Sequence, residues 1–126
     1  MPAEETPGPI EVLIEERDGV LVVALAGELD IACASQVAAA LDEAIAESGH
    51  EVAVDLSRLE YMDSTGLRTL LEARERAAAR GRRLALLGVS ARARRVIELT
   101  GADALLEIVE DIDELRPGGA EEAAPG

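Results

Sequence analysis

The apolar positions of this chain change their period several times, and each change predicts a secondary-structure element. Two strand-like runs, Ile10 to Arg17 and Val20 to Ala26, flank Asp18-Gly19, a dipeptide that tolerates positive φ and predicts a tight hairpin. The second run is apolar at nearly every residue, which predicts a central strand covered on both faces or nearly so. After Gly27-Glu28-Leu29-Asp30 the period becomes helical, with Val37, Leu41 and Ile45 at spacing four and Ser48-Gly49 as the stop. Val52 to Leu56 reads as a third strand. A second helix follows, with Leu67, Leu70 and Leu71 on one face, Glu and Arg on the other, and Gly81 at its end. Leu84 to Val89 reads as a fourth strand, and Ser90 as the N-cap of a third helix carrying Val96, Ile97 and Leu99 up to Gly101. Leu105 to Val109 reads as a fifth strand, and Asp111 to Arg116 has room for only one or two helical turns.

The predicted order is therefore β-β-α-β-α-β-α-β with a short C-terminal helix. A hairpin followed by β-α-β units implies a mixed sheet with right-handed crossovers, an α/β fold. Residues 1–9, with three prolines and several acids, read as a flexible arm, and residues 10–116 as the domain. Residues 117–126, made of Gly, Ala, Glu and Pro, read as a disordered tail.

Composition narrows the picture. At 126 residues the chain is one domain, and although 48% of it is hydrophobic it lacks Phe and Trp, with Tyr61 as its single aromatic. The core must be built from Val, Leu, Ile and Ala, at about 0.8 kcal/mol per buried methylene. All twelve basic residues are arginines, and the net charge of −14 argues against direct nucleic-acid binding and favours partners with a basic surface. The lone Cys33 allows no internal disulfide, which fits a reducing compartment. No segment is long and apolar enough to cross a bilayer, and no basic-then-apolar leader stands at the start, so the expectation is a cytoplasmic protein without a membrane partner.

The chemistry concentrates in Tyr61-Met62-Asp63-Ser64-Thr65-Gly66-Leu67, a polar elbow between a strand and a helix. A hydroxyl at a helix start lies at the positive end of the helix dipole, beside backbone amides without intrahelical acceptors. Such a place accommodates a phosphate with little strain. Read alone, Ser64 is equally a helix N-cap, Asp63 a second cap or turn former, and Asp30 a turn initiator after a strand. Asp55 reads as a receiver of backbone donors at a strand end. Cys33 is either a reactive thiol or a small packing residue. Arginines 68, 74, 76, 80, 82, 83, 92, 94 and 95 form a solvated helix face with Glu72 and Glu75 as partners. Arg92, Arg94 and Arg95 oppose a helix dipole and leave open a contact with an acidic surface or a nucleotide phosphate.

Enzyme readings fare worse. A serine hydrolase built on Ser64 needs a nearby base, and the only histidine, His50, precedes the strand that leads to Ser64. The Gly-x-Ser-x-Gly elbow is missing, no P-loop or Gly-x-Gly-x-x-Gly follows a strand, and His50 has no second histidine with which to share a metal. The chain is expected to be a non-enzymatic module with no cofactor.

Three segments together resemble the STAS domain and, within it, the bacterial anti-sigma-factor antagonists. Gly27-Glu28-Leu29-Asp30 resembles that family's Gly-x-Leu-Asp element. Asp55-Leu56-Ser57 with Tyr61 to Leu67 resembles its phosphorylation segment, and Leu99-Thr100-Gly101 its closing turn. The resemblance covers about residues 10 to 115 and implies a partner-switching protein. Its unmodified form binds an anti-sigma factor that is also a serine kinase, phosphorylation at Ser64 ends the binding, and a metal-dependent serine phosphatase restores it. It also implies a binding surface of Asp30, Asp63, Ser64, Thr65 and Gly66, with Gly66 letting a partner's backbone approach. A scaffold subunit of a stress-signalling or lipid-transport assembly is the alternative within the same family. The short final helix departs from the family's longer one.

Overall fold

A computed structural model describes residues 10–47 and 51–115 of the chain. The predicted arm at 1–9, the tail at 117–126, the helix stop at Ser48-Gly49, and His50 and Arg116 lie outside the described residues.

Strand β1 (Ile10–Arg17) and strand β2 (Val20–Leu29) form the expected antiparallel hairpin. Its turn places Asp18 at φ 53° and Gly19 at φ 84°, the doubly positive pair that matches the twist of the flanking strands. Helix α1 (Ala34–Glu47) leads to β3 (Glu51–Met62), helix α2 (Ser64–Ala79) to β4 (Arg83–Leu87), and helix α3 (Ala91–Thr100) to β5 (Glu107–Val109). The sheet order is β1-β2-β3-β4-β5, with every pairing after the hairpin parallel.

That order has a consequence. Each crossover steps one strand in the same direction, and right-handed crossovers taken in one direction place every connecting helix on the same face. The main core accordingly joins Val23, Leu25, Val52, Val54, Leu84 and Leu86 of the sheet to residues of all three helices. The opposite face carries a smaller cluster of Val20, Val22, Ala53, Ala85, Leu87 and Val109, closed by Leu115. Strand β2 thus buries side chains on both faces, as its unbroken apolar run predicts.

Several boundaries differ from the pattern. Strand β2 continues past Ala26 to Leu29, and β3 runs twelve residues to Met62 instead of stopping at Leu56. These polar extensions pair with each other through two register shifts, between Ala24 and Ala26 and between Gly27 and Glu28. Bulges of this kind let a strand continue where strict alternation fails. Strand β4 ends at Leu87, because Gly88 turns the chain at φ 60°. Strand β5 keeps only three residues, since the amides of Leu105 and Leu106 both donate to the Ala102 carbonyl and close a 3-10 turn. In α3 the buried residues are Ala93 and Ile97, whereas Leu99 stands 74% exposed. The final segment is a 3-10 turn (Ile112–Glu114) with a capping box between Asp111 and Glu114.

Among the described residues Glu72 and Glu75 take no part in the ion pairs, and several arginines pair across elements instead. Arg76 of α2 donates to Asp42 of α1 at 2.7 Å, and Arg83 of β4 grips Glu107 of β5 through two hydrogen bonds, one of them 3.0 Å. The bonds from Arg83 hold the Glu107 carboxyl below the usual carboxylate range, and those from Glu107 hold Arg83 above its own. No helix among the described residues is long and apolar enough to cross a membrane.

Two outcomes follow. Leu86 is fully buried between sheet and helices, so Leu86→Ala lowers the unfolding free energy by about 2–5 kcal/mol, read as a lower urea midpoint at unchanged slope. The Arg83–Glu107 pair is more than a third exposed, so Glu107→Gln costs less than about 1 kcal/mol at neutral pH. Because the folded pKa of Glu107 is depressed, its contribution is complete above its ordinary value of 4.5 and fades as pH falls through the lower folded value. Melting curves of the two proteins should therefore converge in acid.

Candidate functional site

Strands β2 and β3 run parallel, so their carboxyl ends deliver two connections to the same edge of the sheet: 30–33 into α1 and Asp63 into α2. Leu29 pairs with Met62 at the last step of the ladder, and both are buried. The next residues, Asp30 and Asp63, are thereby set side by side although 33 positions separate them in the chain.

Asp63 organises the site. Its backbone is extended (φ −101°, ψ −176°), and it is the N-cap of α2, with its Oδ1 accepting the Gly66 amide at 2.8 Å. Its Oδ2 accepts the Ile31 amide at 3.3 Å, and its own amide donates to the Leu29 carbonyl at 3.2 Å. One carboxylate thus closes the first turn of α2 and ties the β2–α1 connection to it. The cap is Asp63, and Ser64 is the first helical residue, so the N-cap reading of Ser64 is corrected. A carboxylate is the stronger acceptor for backbone donors, and it takes that position.

Ser64 is exposed, and as a first-turn residue its amide and that of Thr65 have no acceptor inside the helix. Thr65 is half-buried, and its carbonyl accepts the Thr69 hydroxyl at 3.0 Å. Asp30 is half-buried, and its Oδ1 accepts the Ala32 amide at 3.0 Å, so it shapes its own turn as its residue type predicts.

Gly66 corrects another expectation. It is buried, and a Cβ on it would meet the Leu29 carbonyl oxygen at 2.6 Å and the Leu29 side chain at 2.7 Å. The backbone that this glycine admits in the folded chain is that of Leu29. Gly66 lets the first turn of α2 press onto the end of β2.

Around Ser64 stand two exposed apolar side chains, Ile31 at 73% and Tyr61 at 50%. Ile31 joins the site through Asp63, and Tyr61, the next-to-last residue of β3, pairs with Glu28. Tyr61 belongs to the polar elbow legible in the sequence, whereas Ile31 carries no sequence signal, since only the folded loop shows it facing solvent.

The remaining candidates have local structural roles. The Cys33 thiol is buried against the carbonyls of Glu28 (3.2 Å) and Asp30 (3.6 Å), and burial pushes its pKa up, which suits packing and not reactivity. Asp55 accepts the Ser57 amide at 2.9 Å, a local turn inside the longer β3. Ser90 caps α3 by accepting the Ala93 amide at 3.2 Å and donates to the Leu59 carbonyl at 3.0 Å. Arg94 lies between Glu98 at 3.9 Å and Glu110 at 3.5 Å, while Arg92 lines a hollow of about 340 Å³ with Leu59 and Glu60.

Comparison with known proteins places this geometry among relatives. Residues 11–115 match the STAS domain. The anti-sigma-B factor antagonist of Listeria monocytogenes is 36% identical over 100 residues, covering 79% of this chain and 88% of that protein. The crystal structure of an anti-sigma factor antagonist from Mycobacterium paratuberculosis superposes with a TM-score of 0.76 at 30% identity, over 86% of this chain and 92% of that one. The anti-sigma factor antagonist SpoIIAA in its unphosphorylated form gives 0.69 at 26% identity, over 84% and 96%.

The geometry separates two substitutions. Asp63→Ala removes a cap and the tie to Ile31, and costs about 0.5–2 kcal/mol of stability. Gly66→Ala forces backbone against backbone and costs about 1–3 kcal/mol. Amide hydrogen exchange should report faster opening at Ile31 for Asp63→Ala, while Ser64→Ala leaves that amide as protected as in the wild type.

Proposed function

The chain belongs to the STAS domain family, among the anti-sigma-factor antagonists, and from that premise we propose that it works by partner switching in the cytoplasm with Ser64 as the switch. In this reading the unmodified chain binds an anti-sigma factor and so frees a sigma factor. Asp30, Ser64 and Thr65 face the partner, Ile31 and Tyr61 add apolar anchors, and Asp63 and Gly66 hold the surface in shape. The anti-sigma factor is also a serine kinase. It transfers the γ-phosphoryl group of ATP to Ser64: a new O–P bond forms, the bond to the ADP leaving group breaks, and the hydroxyl proton passes to a base of the kinase. A metal-dependent serine phosphatase hydrolyses the ester and resets the surface.

The observation that carries this reading is the exposed hydroxyl of Ser64 on a helix start whose cap is already supplied by Asp63. Ser64 is therefore free of a structural duty. A phosphate there adds about −1.5 to −2 charges at neutral pH. At a helix N-terminus the charge is favourable, so the fold is left intact. In a protein–protein interface the same charge must lose water beside Asp63 and Asp30, at a cost on the order of 2–5 kcal/mol. That corresponds to about a 30- to 4,000-fold weaker complex without refolding.

The test is a paired affinity capture from host lysate, with wild type and Ser64→Asp as baits. Wild type is expected to retain an ATP-binding anti-sigma factor that Ser64→Asp loses. Equal capture by both baits, or capture of other STAS proteins alone, would replace the antagonist reading with a scaffold role.

A further inference from the structure

Arg68 lies one helical turn beyond Ser64 on α2, and both residues are exposed. Residues four apart on a helix are neighbours, with Cβ atoms about 5–6 Å apart. Helical side chains also lean toward the N-terminus, so the turn that holds Ser64 is within reach of the Arg68 guanidinium. Arg76, Arg83 and Arg94 are each held by a carboxylate of another element. Arg68 is held by none among the described residues, and even Glu72, one turn further along, makes no ion pair with it. On a chain of net charge −14 this unpaired cation stands beside the proposed switch.

We infer that Arg68 is the counter-ion of a phosphate on Ser64. The inference rests on reading Ser64 as the modified residue, and it deepens that reading. Asp63 and Asp30 both repel an added phosphate, and both are committed to backbone amides that keep them in place. A guanidinium offers paired donors that match phosphate oxygens, so one side chain offsets much of that repulsion. The consequence reaches the partner. Phosphorylation adds negative charge and at the same time engages an exposed cation, so a partner that meets the phosphate also loses access to the free Arg68 guanidinium.

The test uses the full chain with phosphoserine installed at position 64 during synthesis, so that no kinase is needed. Phosphorus NMR follows the second ionisation of the phosphate, which lies near pH 6 in the absence of a partner. With Asp30 and Asp63 unchanged, the wild-type ionisation is expected about 0.3 unit lower than in Arg68→Gln, with the gap closing at high salt. Equal values in the two proteins would overturn the inference, as would a gap unaffected by salt. Melting of unphosphorylated Arg68→Gln should match wild type, since the residue is exposed. A gap in ionisation without any partner lost on Ser64→Asp would keep the ion pair and sink the antagonist reading. Partner loss without a gap would sink the ion pair alone.

Discussion

The Asp63 carboxylate is the contact on which this surface depends. It caps α2 through Gly66 and holds Ile31 of the neighbouring connection, while the Asp63 amide bonds the Leu29 carbonyl. Two crossings of the chain are locked by one side chain and one backbone bond. Gly66 completes the lock, because any side chain there would strike Leu29. Each of the two Asp63 carboxylate oxygens is engaged by a backbone amide from a different connection.

Stiffness at this point divides labour between neighbours. Asp63 carries the structure, so Ser64 beside it is left with an exposed hydroxyl and no bond whose loss would open the helix. A charge added to such a residue changes what the surface attracts without changing its shape. Had the serine itself been the cap, its modification would have removed an acceptor from the helix start and disturbed both connections. In the proposed partner-switching reading, a reversible switch at Ser64 has its physical basis in the offset of one position between Asp63, the cap, and Ser64.

The rest of the fold serves to bring the two connections together. Parallel pairing of β2 with β3 sends both chains out at one edge, and crossovers of one hand keep the helices on one face. A core of aliphatic side chains without Phe or Trp fills the space between by many small contacts. Cross-element arginine pairs, such as Arg76 with Asp42 and Arg83 with Glu107, spread over the outside and contribute modestly.

Much of this was legible in the sequence. Asp18-Gly19 announces the hairpin, the apolar run from Val20 an interior strand, the spacing of Val37, Leu41 and Ile45 a helix, and Ser90 a cap, because turn chemistry and period act locally. The elbow at Asp63-Ser64 was visible for the same reason. The ends of β2 and β3 were not, since their polar extensions are held by each other across the sheet and not by their own pattern. Leu99 is two residues past the buried Ile97 and so stands on the far side of α3 from the core. Which of Asp63 and Ser64 caps the helix, which backbone Gly66 admits, and that Ile31 stands in water beside Ser64 were decided only in the tertiary structure. The cap is a bond across three residues for which both side chains compete, while the contacts of Gly66 with Leu29 and of Ile31 with Asp63 join atoms more than thirty residues apart, and local sequence carries no energy term for a neighbour that folding has yet to supply.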